Sequence, residues 1–497
     1  MLLLDITVVN VALPDVQKSL DATFTELQWV IDAYSLTLAA LLLTAGSLGD
    51  LLGRRRVFVA GLALFSLASL LCGLAPDAVT LDLFRGLQGV GGAAMFSLSL
   101  ALIAQEFQGK DRATAFGAWG ATTGGAVAVG PLVGGVLTDS LGWEWIFFVN
   151  VPVGIATAWL ALAKLRDAKA PEPEGIDWPG LVTFSGALFA LVFGLIRGNE
   201  EGWGSPMIVS LLGGSALLLA AFVVIERRSS RPMFDLGLFR IPTFVGASIA
   251  AFSLSAAMFA MFLYLTLYIQ TILGYDALQA GLRFLPITLL SFLVAPIAGR
   301  LSDRVPPRVF LGIGLVSVGV GLLLMNGVKV GDDWTTLLAG FIFAGVGIGM
   351  VNPPLASVAI AVVHPARSGM ASGINSTFRQ VGIATGIAAY GAMFQHRIES
   401  ELIADLRGTP VSGRSHELAQ AVAGGGTQQI VEQAPPPIRS VIAHNAEAAF
   451  VAGLNELLLV GASIAFAGAI LSFVLVRRAD YVAVPSPAEG AEAAPAG

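Results

Sequence analysis

The chain has 497 residues, of which 55% are hydrophobic and only 12% charged, and its mean hydropathy is +0.78. Those values exclude a soluble globule and point to an all-α integral membrane protein. The formal net charge of −6, from 28 basic and 34 acidic residues, comes without the basic cluster that a nucleic-acid face needs, so nucleic acid is not an expected partner.

A membrane-crossing helix needs roughly 20 mostly apolar residues at about 1.5 Å rise each. The first apolar run, Met1 to Leu13, stops at Pro14 and reaches about 20 Å of a roughly 30 Å hydrocarbon core. It lacks the basic n-region and small-residue cleavage site of a signal peptide, so it reads as helix 1 with its cytoplasmic end truncated. Further spans follow at about 28–49, 57–75, 79–104, 113–137, 144–165, 178–196, 206–225, 243–270, 280–300, 309–326, 336–363, 370–394 and 449–476, which brings the expected number of transmembrane helices to fourteen. The single cysteine, Cys72, lies inside one of these runs, which rules out an intrachain disulfide and a cysteine-built metal site.

Between the second and third spans lies a small-residue helix end with one acid and an arginine cluster, Gly46-Ser47-Leu48-Gly49-Asp50-Leu51-Leu52-Gly53-Arg54-Arg55-Arg56. A fainter copy, Gly299-Arg300-Leu301-Ser302-Asp303-Arg304 with Arg308, again has glycine four residues before the acid. Two copies imply two halves. With the N-terminus inside, the inner loops carry Arg54 to Arg56, Lys110, Arg112, Lys164, Arg166 and most other basic residues, whereas the short outer loops carry only Lys18, Arg197 and Lys329. Both termini are therefore expected in the cytoplasm. The copies follow helices 2 and 10 rather than 2 and 8, so two helices are inserted, and the pair from Trp178 to Ile225 after the polar connector Lys169 to Glu174 fits best. The expected domains are an N-terminal six-helix bundle (1–165), a connector with two inserted helices (166–235), a C-terminal six-helix bundle (236–478) with an outside loop at about 395–447, and a disordered cytoplasmic tail (479–497).

Several segments resemble a known family, the major facilitator superfamily, and within it the fourteen-helix drug/proton antiporters of the EmrB/QacA type. The Gly46 to Arg56 loop resembles motif A, with Leu51 standing where the pattern has a basic residue. Leu81-x-x-x-Arg85-x-x-Gln88-Gly89 resembles motif B, and Gly130-Pro131-Leu132-Val133-Gly134-Gly135 resembles the antiporter motif C. Leu4 to Pro14, Trp143 to Pro152 and Arg379-Gln380-Val381-Gly382 resemble further signatures of this branch, in the same order along the chain. The resemblance implies the major facilitator fold, two six-helix bundles plus two inserted helices. It also implies export of amphipathic, often cationic or aromatic compounds in exchange for protons, as a monomer in a bacterial-type plasma membrane.

The motif A glycines permit close helix approach. Gly46, Asp50, Gly53 and Arg54 to Arg56, with Asp303 and Arg304 of the second copy, are expected to form a conformational latch; the competing reading is that the arginines only set topology. Gly130, Pro131, Gly134 and Gly135 remove bulk from a helix face and weaken its backbone ladder.

Charges inside a membrane are costly and are functional candidates by default. Asp5 lies nine residues before Pro14, about 13 Å below the outer end expected for helix 1. Arg85 and Asp32 lie in the outer parts of their spans, so all three are expected to reach one cavity. The proposed exchange has Asp5 take a proton from outside and lose it when substrate enters or the inside opens, with Arg85 tuning the step; the alternative for Asp5 is a purely structural helix contact. Asn10, Gln88, Asn375, Arg379 and Gln380 are the further cavity candidates, although for the last three interhelical hydrogen bonding is the favoured reading and the cavity the alternative. The four histidines form no paired ligand spacing, and the glycine run Gly345 to Gly349 has no following Lys-Ser/Thr, so no metal, nucleotide or cofactor is expected. The chain is thus not an enzyme in this reading. A transporter-fold receptor without turnover and proton-coupled uptake remain the functional alternatives.

Overall fold

A computed structural model of the protein describes residues 1–22, 24–107, 109–166, 177–229, 234–302, 304–364, 367–405, 422 and 439–481. The described chain is helical, in the order α1 (Leu2–Leu20), α2 (Phe24–Leu52), α3 (Arg54–Cys72), α4 (Ala78–Glu106), α5 (Gly109–Leu141), α6 (Trp145–Phe148), α7 (Asn150–Lys164), α8 (Trp178–Glu201) and α9 (Pro206–Arg228). It continues with α10 (Pro242–Leu254), α11 (Met261–Leu267), α12 (Ala277–Arg283), α13 (Leu285–Leu301), α14 (Pro307–Met325), α15 (Leu338–Ala361), α16 (Ser368–Asp405) and α17 (Arg439–Leu475). Among the described residues, 10 helices are long and apolar enough to cross a membrane. Large apolar side chains such as Leu217, Leu83 and Trp159 stand exposed on helix exteriors, the inverse of a water-facing surface.

Helix ends follow local chemistry. Asp77 caps α4 by accepting from Thr80 N at 2.8 Å, and Asp276 caps α12 by accepting from Gln279 N at 2.7 Å. Ser205 and Pro206 open α9, the hydroxyl accepting from Ile208 N at 3.4 Å. The break between α2 and α3 falls on Gly53, whose φ of 109° suits a residue without Cβ.

Three boundaries differ from the sequence reading. Helix α1 does not end at Pro14 but continues to Leu20, 19 residues in all, which is about 28 Å of rise. An interior proline removes one ladder hydrogen bond without ending a helix that neighbouring helices hold in place. Helix α16 runs to Asp405, and α17 starts at Arg439, so helix occupies both ends of the segment assigned to an outside loop at 395–447. Residues 406–421 and 423–438, and the tail from 482 onward, lie outside the described residues.

Helices α1 to α4, α6 and α7 pack mainly within the first group, α2 and α3 on α4 and α1 on α5; α10, α11 and α13 to α17 pack mainly within the second, and α5 and α12 bridge the two. The two groups meet where α16 lies along α2 and α4 and where α5 lies along α13 and α15. Helix α8 sits in a groove of this seam, touching α2 and α16. Thr44 and Ser185 hydroxyls lie 2.9 Å apart on the α2 side, and Asn199 Nδ2 donates to Ala388 O at 3.0 Å on the α16 side. Between α10 and α11 the backbone widens into a π-helical turn at Ser255–Phe259, an irregularity that often marks a functional wall.

Candidate functional site

Helix α1 carries Asp5 into the middle of the first helix group, where it is 2% exposed. Arg85, one helix turn before Gln88 on α4, donates from Nη1 to Asp5 Oδ2 at 2.5 Å and to Gln88 Oε1 at 2.6 Å. Its Nε donates to Val30 O at 2.9 Å. Gln88 Nε2 donates to Asp5 Oδ1 at 3.0 Å, and Asn150 Nδ2, from the start of α7, donates to the same oxygen at 3.1 Å. Ser69 of α3 accepts from both amides, at 3.2 Å from Gln88 and 3.0 Å from Asn150, and donates to Phe147 O at 2.9 Å. The Arg85 guanidinium lies 4.4 Å from the Tyr34 ring centroid, a cation–π contact that adds to its confinement.

The chemistry is that of a loaded spring. Three donors converge on one buried carboxylate, and each needs an acceptor. A proton on Asp5 would remove the counter-charge of Arg85 and leave a buried guanidinium uncompensated, which is costly. Asp32 does not join this set: it is half-buried on α2, near enough to Asp82 for the two carboxylates to repel. The sequence grouped it with Asp5 by depth alone, and depth does not give the rotation of a helix.

A second polar cluster joins the two helix groups at the end carrying the Gly46 to Arg56 loop. Asp50 Oδ1 accepts from Gly369 N at 3.1 Å and Oδ2 from Met370 N at 2.9 Å, so a side chain of α2 caps the first turn of α16. Arg54 Nε donates to Asp50 Oδ1 at 2.8 Å. The polar link therefore forms through Arg54, one turn on from the acid, although Leu51 occupies the position next to it. Gly46 makes room for this approach: a Cβ there would collide with Gly369 O and lie 2.7 Å from Ser97 Oγ. Arg55 turns away and caps the end of α7, donating to Leu165 O at 3.2 Å, and Arg56 is exposed. Asp303 lies outside the described residues, and Arg304 is exposed.

Between the two helix groups lies a partly open cavity, lined by Leu3, Phe96 and Trp119 on one side and by Phe259, Phe262, Asn352, Arg379 and Gln380 on the other. Gln88 is not in its wall, being used up in the Asp5 network, and the Asn10 side chain lies outside the described residues. Asn375, one turn before Arg379, is buried with both amide atoms unpartnered.

The architecture can be compared with known proteins. A model of the Major Facilitator Superfamily matches residues 1–387. The chain belongs to the Major Facilitator Superfamily. Similar superfamily members include the multidrug resistance protein Stp of Mycobacterium tuberculosis, 36% identical over 85% of this chain and 79% of that protein. The puromycin resistance protein pur8 of Streptomyces alboniger is 39% identical over 78% of each chain. The tetracenomycin C resistance and export protein of Streptomyces glaucescens is 33% identical over 80% of this chain and 74% of that protein. Among solved structures, the human organic anion transporter MFSD10 superposes with a TM-score of 0.62 at 15% identity, covering 96% of this chain and 97% of that one, a likeness of fold. The protein is a multi-pass membrane protein of this superfamily.

The superfamily motif on α5 resolves into unequal parts. A Cβ on Gly130 would collide with Thr7 Oγ1 and lie 2.6 Å from Thr7 Cβ, whereas one on Gly135 would meet nothing within 4 Å. Gly134 is buried, and the Pro131 side chain lies outside the described residues. Gly130→Ala is expected to force α5 off α1 and destabilise the protein by about 1–3 kcal/mol, the usual cost of overpacking. Gly135→Ala is expected to leave the melting temperature of the detergent-solubilised protein within the error of the wild type; equal effects of the two changes would contradict this assignment.

Sequence reasoning did not place Asn150 or Ser69 in the site. Asn150 stands inside the Trp143 to Pro152 signature, so a signal existed. Ser69 carried none, because a serine in an apolar helix usually bonds its own backbone.

Proposed function

We propose that this protein exports amphipathic organic compounds from the bacterial cytoplasm in exchange for protons, working as a monomer with both termini inside and fourteen membrane crossings in two bundles plus an inserted pair. The relatives named for drug and antibiotic resistance support the substrate class and the direction. The observation that carries proton coupling is the Asp5–Arg85 pair, held at 2.5 Å with both side chains at most 1% exposed. Such a pair has two stable conditions: ionised and clamped by three donors, or protonated with Arg85 seeking another acceptor.

In this reading a proton arriving from outside neutralises Asp5 and loosens α1 from α4 and α7. The movement reaches the opposite face through α4, whose Ser97 carbonyl accepts from Ser372 of α16 at 2.6 Å. There the Asp50 clamp holds α2 and α16 together while the cavity faces outward, and opening the inside requires its release. Proton loss to the cytoplasm restores the ion pair and resets the cycle. Asp32 and Asp82 form an outer acidic station on the way to Asp5, and Gly130 and its neighbours let α5 slide on α1.

The test is dye accumulation in cells that express the protein. Ethidium or another fluorescent amphiphile is expected to accumulate less than in control cells, and a protonophore is expected to abolish the difference. Higher accumulation would mean uptake, and no difference for any compound tested would mean a receptor without turnover.

A further inference from the structure

The most exposed contradiction between the cavity and a taste for cationic drugs is its charge. Arg379 projects from α16 into the cavity wall and is only 9% exposed. Its Nη2 donates to Asn352 Oδ1 at 2.9 Å, while its Nε is buried with no partner. No described residue forms an ion pair with it, and no acidic side chain is among the described residues lining the cavity. Ser291, in the same wall, also has a hydroxyl without a partner. A guanidinium placed between helices without a counter-ion is costly and is retained where something else supplies the negative charge.

We infer that the cavity binds its substrates by an anionic group, a carboxylate, phenolate or enolate attached to an aromatic body, with Arg379 as the anchor. The geometry fits both parts. Phe96, Trp119, Phe259 and Phe262 offer apolar and ring surface for the body. Arg379 has its Nε–H unsatisfied, and Asn352 holds Nη2, which orients the fork. The Trp119 ring lies 6.0 Å from the guanidinium carbon, at the outer reach of a cation–π contact, and puts an aromatic face beside the anchor. A cationic compound entering here meets a like charge in a site poor in water and finds no described carboxylate to compensate. The proline pair Pro353 and Pro354 directly after Asn352 weakens the α15 ladder at this level, so the anchor sits where the helix is able to bend.

This inference rests on the cavity being the transport site, and its test separates the two. The protein in lipid nanodiscs is titrated with radiolabelled 2-naphthoate and with 2-naphthylmethylammonium, which share a ring system and differ in the sign of charge. The anion is expected to bind at least about tenfold more tightly, the range of one charge-assisted hydrogen bond or more. Arg379→Gln is expected to remove that preference by weakening binding of the anion and easing the repulsion of the ammonium, and Arg379→Lys to keep part of it. Tighter binding of the ammonium, no binding of naphthoate to the wild type, or an undiminished preference in Arg379→Gln would overturn the proposal. Asp5→Asn, which lies outside the cavity wall, is expected to keep the anion preference even as proton-driven efflux is lost. Preference without efflux would retain the anchor and refute the export reading; efflux without preference would do the opposite.

Discussion

Asp5→Asn is expected to lower protonophore-sensitive efflux to the level of cells lacking the protein. The asparagine keeps the shape of the side chain and one acceptor oxygen for Gln88 and Asn150, but it carries no titratable proton. It also leaves Arg85 buried, with only the Gln88 and Val30 oxygens to accept from it. Removing one partner of a buried ion pair costs about 3–5 kcal/mol, so the variant is expected to melt earlier as well as to stop working. The double variant Asp5→Asn with Arg85→Gln separates these effects: it relieves the orphaned charge and recovers stability, yet transport stays lost because nothing carries the proton. Efflux, melting temperature and membrane expression are measured for the wild type and both variants. Retained proton-driven efflux in Asp5→Asn would reduce the pair to a structural contact.

Asp50→Asn is expected to open the loop end of the seam. One carboxylate oxygen becomes an amide that faces a backbone N–H of α16, and Arg54 loses its counter-charge. The closed arrangement then loses about 3 kcal/mol, the scale of breaking a charge-assisted bond in a buried cluster, and that is about a hundredfold in population. Spin labels at Leu52→Cys and Arg367→Cys, in a Cys72→Ala background, read the separation of α2 from α16. The distance distribution is expected to gain a longer component in Asp50→Asn, with transport reduced about tenfold or more because the outward-facing state is depopulated. An unchanged distribution would leave Asp50 as a helix cap without a gating role. Gly46 belongs to the same argument, since any side chain there holds the two backbones apart.

Much of this was legible in the chain itself. Long apolar runs must be buried in lipid, and a helix is the structure that satisfies its own backbone there, so the all-α membrane class follows from composition and run length. Asp5, Arg85 and Gln88 stood out because intramembrane polar groups are rare. The partners did not stand out. Asp50 bonds two backbone amides 319 and 320 residues away, and a backbone N–H has no sequence signature. Arg54, Arg55 and Arg56 look alike in a row, but successive helical positions turn by about 100°, which sends one to Asp50, one to the end of α7 and one outward.

The amino-acid sequence by itself determined the membrane class, the helical segments, the two motif A copies and the short list of polar residues able to matter. The tertiary structure alone decided which of those residues meet. Asp5 joins Arg85, Gln88, Asn150 and Ser69 while Asp32 stays outside that network, and Arg379 faces the cavity without a described counter-ion. The reason is that hydropathy sets depth along a helix axis, whereas contact depends on rotation about that axis and on which neighbour lies alongside, and both are settled by packing across the whole bundle.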